Sequence, residues 1–323
     1  EKDLAQFYPK DPDGATPIAY LWARTIKCEG PRCGVNVPMM RSQELARRVD
    51  ESVALKLGPE ADGSQVRIRI PPHVRDPSSK LGTARRGSVT CPVCGYTTTV
   101  ERVRAQLQQR VGGTLDARLM CVVTLGGQDQ VGRRYRLPTA GDLQAHASAA
   151  AELARYKDLR DGGAVAVIPD ERFTGMEPRR IPLPLYGMTG FGDIFGARQM
   201  LSLTTLARLV ASIDQRSASD SPELARVVAA CLALAVDRQA DALSSLVTWV
   251  PAGEFQRNTF ARQALAMVWD FAEVNPWADS SGNWLGAIEW IARVCESGPS
   301  MKSTGEVGHF SATAHPLPDD SAH

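Results

Sequence analysis

The sequence predicts an α+β chain: a small β-rich, zinc-ribbon-like module followed by a mainly helical region. Three observations carry this. Two cysteine pairs, each followed by a glycine, lie in the first third of the chain, as "CEGPRCG" and "CPVCG". Runs with apolar residues at period two lie around them. Beyond residue 137 the apolar residues recur at helical spacing instead. The expected division is 1–137 for a basic, β-rich module, 138–195 for a helix and an extended linker, and 196–323 for a helical region with a C-terminal tail. A chain of 323 residues is long enough for two ordinary domains.

Taken in order, "ATPIAYLWARTI" (15–26) clusters apolar residues as a buried strand does, and "SQELARRVD" (42–50) reads as a short polar helix. "VRIRI" (66–70) alternates aliphatic residues with Arg and predicts a half-buried strand. Residues 71–90 are rich in Pro, Ser and Gly and predict a basic loop. A helix is expected over 99–111, then two strands over 117–125 and 132–139 around a Gly-containing turn. Thr139, three residues ahead of Asp142, is a capping-box variant that opens a helix of about five turns. Pro169, Pro178, Pro182 and Pro184 then break any helix and predict an extended linker. Helices are expected over 196–213, with Met200, Leu203, Leu206, Leu209 and Val210 on one face, and over 221–250, with Ser221 as N-cap and Pro222 at the first helical position. Two more are expected in "RNTFARQALAMVWDFAEV" and "GNWLGAIEWIARVCES".

The composition, 43% hydrophobic and 23% charged, is that of a globular protein. No apolar run approaches the roughly 18 residues that span a bilayer, and "EKDLAQFYPK" has no secretory signal, so a cytoplasmic chain without membrane contact is expected. Because the sequence starts at Glu, it is expected to be a piece of a longer polypeptide. Residues 1–137 hold 22 Lys/Arg against 14 Asp/Glu, whereas 138–323 hold 15 against 22. An anionic partner would meet the first half, although imbalances of this size also arise without one.

Seven cysteines are too few and too unevenly spaced for a disulfide framework. Cys28, Cys33, Cys91 and Cys94 instead suit four thiolates around zinc, each pair on a tight turn. A redox pair at Cys91 and Cys94 and a metal-free remnant are the competing readings. Cys121, Cys231 and Cys295 read as core residues, as do Trp269, Trp277, Trp284 and Trp290, and His146 reads as a surface residue. Arg75, Lys80, Arg85 and Arg86 sit among small residues close to Cys91, where they can contact phosphates; a merely solvated loop is the alternative. No catalytic set is visible: there is no His-Glu-x-x-His, Gly-x-Ser-x-Gly or P-loop pattern.

Several stretches together, "PIAYLWARTIKC", "CPVCGYTT", "YGMTGFGDIFGARQMLSLTTLARLV", "RQALAMVWDFAEVNPWADSSGNW" and "AIEWI", resemble the central region of the zinc-ribbon-containing adenine-specific DNA methylases, large bacterial and archaeal proteins often linked to anti-phage defence. The resemblance covers nearly the whole chain. It implies a Gly-rich S-adenosylmethionine loop upstream and an Asp-Pro-Pro-Tyr catalytic motif downstream in the parent protein; neither is present here. The tail "GHFSATAHPLPDDSAH" resembles the strand ahead of that motif, which would put Ser311 near the cofactor's adenine, where methyltransferases often carry an acidic residue. By analogy the chain is a target-recognition insert that contacts double-stranded DNA and the remainder of the methyltransferase. A base must leave the duplex to be methylated, and a separate module must then hold the backbone. The alternative is a protein-interaction scaffold that docks other defence proteins.

Overall fold

The computed structural model of the chain describes residues 3–48, 52–71, 81–127, 132–161, 165–173, 179–216, 221–261 and 263–298. It is mixed α+β, as the sequence predicts. The largest sheet has four antiparallel strands in the order Arg133–Arg136, Arg118–Leu125, Thr16–Ala23, Asp270–Val274. Thr16–Ala23 takes an inner place because it is apolar on both faces, and every residue after Thr16 is buried. Ala19, Leu21 and Ala23 pack with Met40, Leu45 and Leu55 from small hairpins. Tyr20 and Trp22 face the other way, against Phe7, Ala149 and Leu201. One strand at period two thus feeds two cores, one under hairpins and one under helices. Each buried side chain of leucine size contributes roughly 2 kcal/mol.

The described residues hold five α-helices, in chain order α1 Val100–Gln108, α2 Ala140–Ala154, α3 Ala197–Arg216, α4 Pro222–Ala242 and α5 Trp284–Ser297. The predicted capping box opens α2. Asp142 donates its N–H to Thr139 Oγ1 at 3.2 Å, and Thr139 donates its own to Asp142 Oδ2 at 2.7 Å. Ser221 precedes α4 as expected, but its side chain makes no capping hydrogen bond. α3 packs on α2 and α4, and α4 packs on α5. Among the described residues no helix is long and apolar enough to cross a membrane.

Several elements differ from the sequence reading. Within 42–50, Glu44–Ala46 is a strand paired with Val53–Ala54, not a helix. α4 stops at Ala242, and Thr248–Val250 pairs with Phe255–Arg257. No helix forms among the described residues of 257–274; Asp270–Val274 completes the large sheet instead. Its five residues all find partners on Ala19–Ala23, and Phe271 and Ala272 enter opposite cores, which outweighs the local helical spacing. The sheet therefore draws strands from both sides of residue 137. The expected linker carries short 3-10 turns at Leu183–Tyr186 and Phe191–Ile194, which bury Leu183 and Ile194.

Single residues also moved. Cys121 is buried as expected, whereas Cys295 is exposed. Trp290 is 55% exposed and is not a core residue. His146 is half-buried rather than on the surface, its ring centroid 4.5 Å from that of Trp22, and burial holds its pKa below the ordinary range.

Two buried guanidiniums tie the layers together. Arg198 of α3 donates to Glu273 through Nε at 2.7 Å and Nη2 at 2.9 Å, and Trp22 Nε1 donates to the same carboxylate at 2.6 Å. Arg24 is fully buried and, although Asp116 acts on it at longer range, makes no ion pair among the described residues. Its nitrogens donate to Val268 O, Gly112 O, Thr114 Oγ1, Ser245 O and Ser245 Oγ, joining four distant segments. Burial lowers its pKa to about 9.

Candidate metal centre

Each cysteine pair sits at the end of a short β-hairpin. Thr25–Lys27 pairs with Asn36–Pro38, and the turn between them carries Cys28 and Cys33. Ser88–Thr90 pairs with Thr97–Thr98, and that turn carries Cys91 and Cys94. Cys28 N–H donates to Val35 O at 2.9 Å and Cys91 N–H to Tyr96 O at 2.8 Å, so both turns close in the same way. Gly34 and Gly95, each directly after the second cysteine, have φ of 65° and 76° and let the chain turn back into its strand.

The two turns meet. All four Sγ atoms lie within 4.8 Å of one another, a set able to hold a metal ion. Cys28 Sγ is 3.5 Å from Cys94 Sγ, and Cys33 Sγ is 3.8 Å from Cys91 Sγ. A tetrahedron of thiolates about 2.3 Å from a central ion has edges of roughly 3.8 Å, so the donor set fits. Backbone N–H groups of Gly30 and Val93 approach Cys28 and Cys91 Sγ at 3.4 Å each. Such donors stabilise thiolate charge.

The thiols are not equivalent. Burial pushes the Cys28 and Cys91 thiols up, while the backbone N–H of Tyr96 draws the exposed Cys94 down to about 7. A cation held among them would supply an opposite charge and so favour the thiolate forms that burial disfavours.

Packing holds the centre from one side. Cys28 and Cys91 belong to the same apolar cluster as Val37, Val89, Val103 and Leu107, the last two from α1. α1 also grips the first hairpin: Lys27 N–H donates to Gln106 Oε1 at 2.8 Å, and Gln106 Nε2 donates back to Lys27 O at 3.0 Å. Arg102 pairs with Glu29 at 2.9 Å. None of Glu29, Arg102 and Gln106 carries a motif that marks it in the sequence.

Of the basic residues expected near Cys91, Arg85 and Arg86 are exposed, and Arg75, Lys80 and the tail residue Ser311 lie outside the described residues. The stretch is not simply a loop. Ala84–Arg85 pairs with Ser88–Thr90 through a two-residue turn, Arg86-Gly87, with φ of 49° and 87°. That is the conformation preferred in hairpins of this length. Gly87 is required there, because a Cβ would fall 2.6 Å from Val100 Cγ2. Arg86 is an arginine where Asn or Gly is favoured, and Arg32, exposed between Cys28 and Cys33, shares this with φ of 59°. Among the described residues neither Arg85 nor Arg86 has an ion-pair partner, so the hairpin leading into Cys91 presents two uncompensated positive charges. The chain matches no family model, no curated protein and no solved structure.

Proposed function

We propose that the chain is a zinc-stabilised, DNA-contacting target-recognition segment of an adenine-specific, S-adenosylmethionine-dependent DNA methyltransferase acting in the cytoplasm, in anti-phage defence. The observation that carries the reading is the convergence of Cys28, Cys33, Cys91 and Cys94, with Arg85 and Arg86 exposed on the hairpin that enters it. Four thiolates on paired turns favour zinc over a two-thiol redox pair. A structural zinc contributes on the order of 10 kcal/mol, enough to fix the two cysteine turns against each other. The ion would hold the Arg85–Arg86 hairpin rigidly, and rigid guanidiniums suit phosphate contact. Cofactor binding and methyl transfer belong in this reading to the rest of the parent protein.

The test is duplex-DNA binding by fluorescence anisotropy across a salt series, for the wild type and an Arg85→Ala/Arg86→Ala variant. The wild type is expected to bind with an affinity that falls steeply with salt, and the variant more weakly with a shallower slope. Absence of wild-type binding at low salt sinks the reading. A second reading, a scaffold for other defence proteins, is favoured by apolar side chains left exposed on α4 and α5: Leu224, Val227 and Leu234, with Trp290 and Val294. Capture of a defence partner without DNA affinity would support it.

A further inference from the structure

α4 and α5 run antiparallel, and their contacts can be followed along the seam. Near the end of α4, Gln239 Nε2 donates to Gly282 O at 2.7 Å, just ahead of α5. Further into α5, the Trp290 ring centroid lies 4.8 Å from the Arg238 guanidinium. About two turns back along α4 from Arg238 stands Cys231, and about a turn and a half onward from Trp290 stands Cys295. The register therefore brings these two cysteines level with each other.

The seam between the helices is lined by small side chains. Cys231, Ala235 and Ala242 share one face of α4, and both alanines are buried. Ala287, Ile291 and Cys295 recur at i, i+4 and i+8 on α5, and Ala287 is buried against α4, the helix on which α5 packs. Packed helix axes lie about 8–10 Å apart, and small contact residues favour the lower end. With Cα atoms at a radius of about 2.3 Å, facing positions then lie roughly 3–5 Å apart, so slightly offset ones fall within the roughly 4.4–6.8 Å that a disulfide spans. Cys231 is half-buried and Cys295 exposed. Burial and hydrogen bonding to the adjoining Cys295 thiol push the Cys231 thiol up. Little else holds α5, since Ala287 is its buried residue while Leu285, Trp290 and Val294 are exposed.

We propose that Cys231 and Cys295 form a reversible disulfide when the chain meets a peroxide, and that this bond latches α5 onto α4. The exposed Cys295 reacts first. Its sulfur attacks the O–O bond of hydrogen peroxide, taking one oxygen as a sulfenic acid and releasing one water. The Cys231 sulfur then displaces the hydroxyl from Cys295, and that hydroxyl leaves with the Cys231 thiol proton as a second water. Two thiols and one peroxide thus give one disulfide and two waters. A dithiol reductant reverses the step. The latch shares no residue with the metal centre and does not rest on DNA binding.

The test is oxidation of the full chain with stoichiometric hydrogen peroxide. Remaining thiols are then blocked with N-ethylmaleimide, and the chain is digested without reduction and its peptides mapped by mass spectrometry. The peptides holding Cys231 and Cys295 are expected joined to each other, within a chain that still runs as a monomer, and separated again by dithiothreitol. In the oxidised wild type, amide exchange in α5 should slow by on the order of tenfold or more. Cys295→Ser, an exposed change, should abolish both the link and the slowing. Both thiols blocked after peroxide treatment, links from either to another cysteine or to a second chain, or unchanged exchange in a linked α5 would each overturn the proposal.

Discussion

Replacing Arg86 with glycine separates stability from binding, because the two should move in opposite directions. Arg86 holds φ of 49° at the first position of the Arg86-Gly87 turn. An L-residue in that region costs roughly 1–2 kcal/mol, which glycine does not. Glycine gives back about 0.5–1 kcal/mol through the greater freedom of the unfolded chain. The side chain is exposed and makes no ion pair among the described residues, so no contact offsets the relief. Arg86→Gly is therefore expected to raise stability by about 0–1.5 kcal/mol, read as a higher urea midpoint at unchanged slope. Loss of one phosphate contact should make the plot of log affinity against log salt shallower by about 0.9, which near 0.1 M salt corresponds to roughly eightfold weaker binding. A variant as stable as wild type that binds DNA with wild-type affinity and slope would remove Arg86 from the interface. A variant that loses both together would show that the turn needs arginine for reasons other than DNA.

The metal centre predicts one zinc per chain by elemental analysis. Chelation or Cys91→Ser should strip hydrogen-exchange protection from the two cysteine hairpins and α1 while the large sheet keeps its own; a metal-free chain with full protection there would refute it. Glu273→Leu leaves Arg198 buried without its carboxylate and should destabilise by about 3–5 kcal/mol in urea unfolding, whereas the double change Arg198→Met/Glu273→Leu should recover much of that loss. His146 has its pKa lowered by burial, so the unfolded chain binds a proton there more readily than the folded one. Its contribution is complete above about pH 6.5 and is lost as the pH falls below it. His146→Phe keeps the ring beside Trp22 and should flatten stability between pH 5 and 7. Asp142, whose ionisation burial opposes, is nonetheless held below the ordinary carboxylate range by Arg136 and Thr139. Its contribution is present above about pH 4 and lost as the pH falls further, so acid unfolding below that point should persist in the His146 variant.

The four-cysteine cluster was legible because its information is local: the spacing within each cysteine pair and the glycine after it already specify two tight turns. The capping box at Thr139 and Asp142 was legible for the same reason. Asp270–Val274 was not, since its strand conformation comes from partners about 250 residues away on Ala19–Ala23, and its buried Glu273 depends on a guanidinium from α3. Arg85 and Arg86 were legible as basic residues, but the hairpin that aims them was masked by the Pro- and Ser-rich residues before it. "RRGS" carries the one local hint, a glycine at the second turn position. Trp290 was misread because aromatic residues in helices usually face inward, and only the packing of α5 on α4 decides which face is left outside.

The order of strands in the large sheet has a consequence for biosynthesis. Thr16–Ala23 leaves the ribosome before its neighbour Arg118–Leu125, and its other neighbour ends only at Val274. At the usual 5–20 residues per second, roughly 10–50 s pass between the synthesis of the first strand and that of the last. From residue 136 onward the nascent sheet has three strands, with the edge of Thr16–Ala23 bare, and Tyr20 and Trp22 stay uncovered until α3 has been made. An unpaired apolar edge invites pairing with another chain. Closure of the large sheet therefore waits for Asp270–Val274, and ribosome-associated chaperones are expected to hold Thr16–Ala23 until that strand arrives.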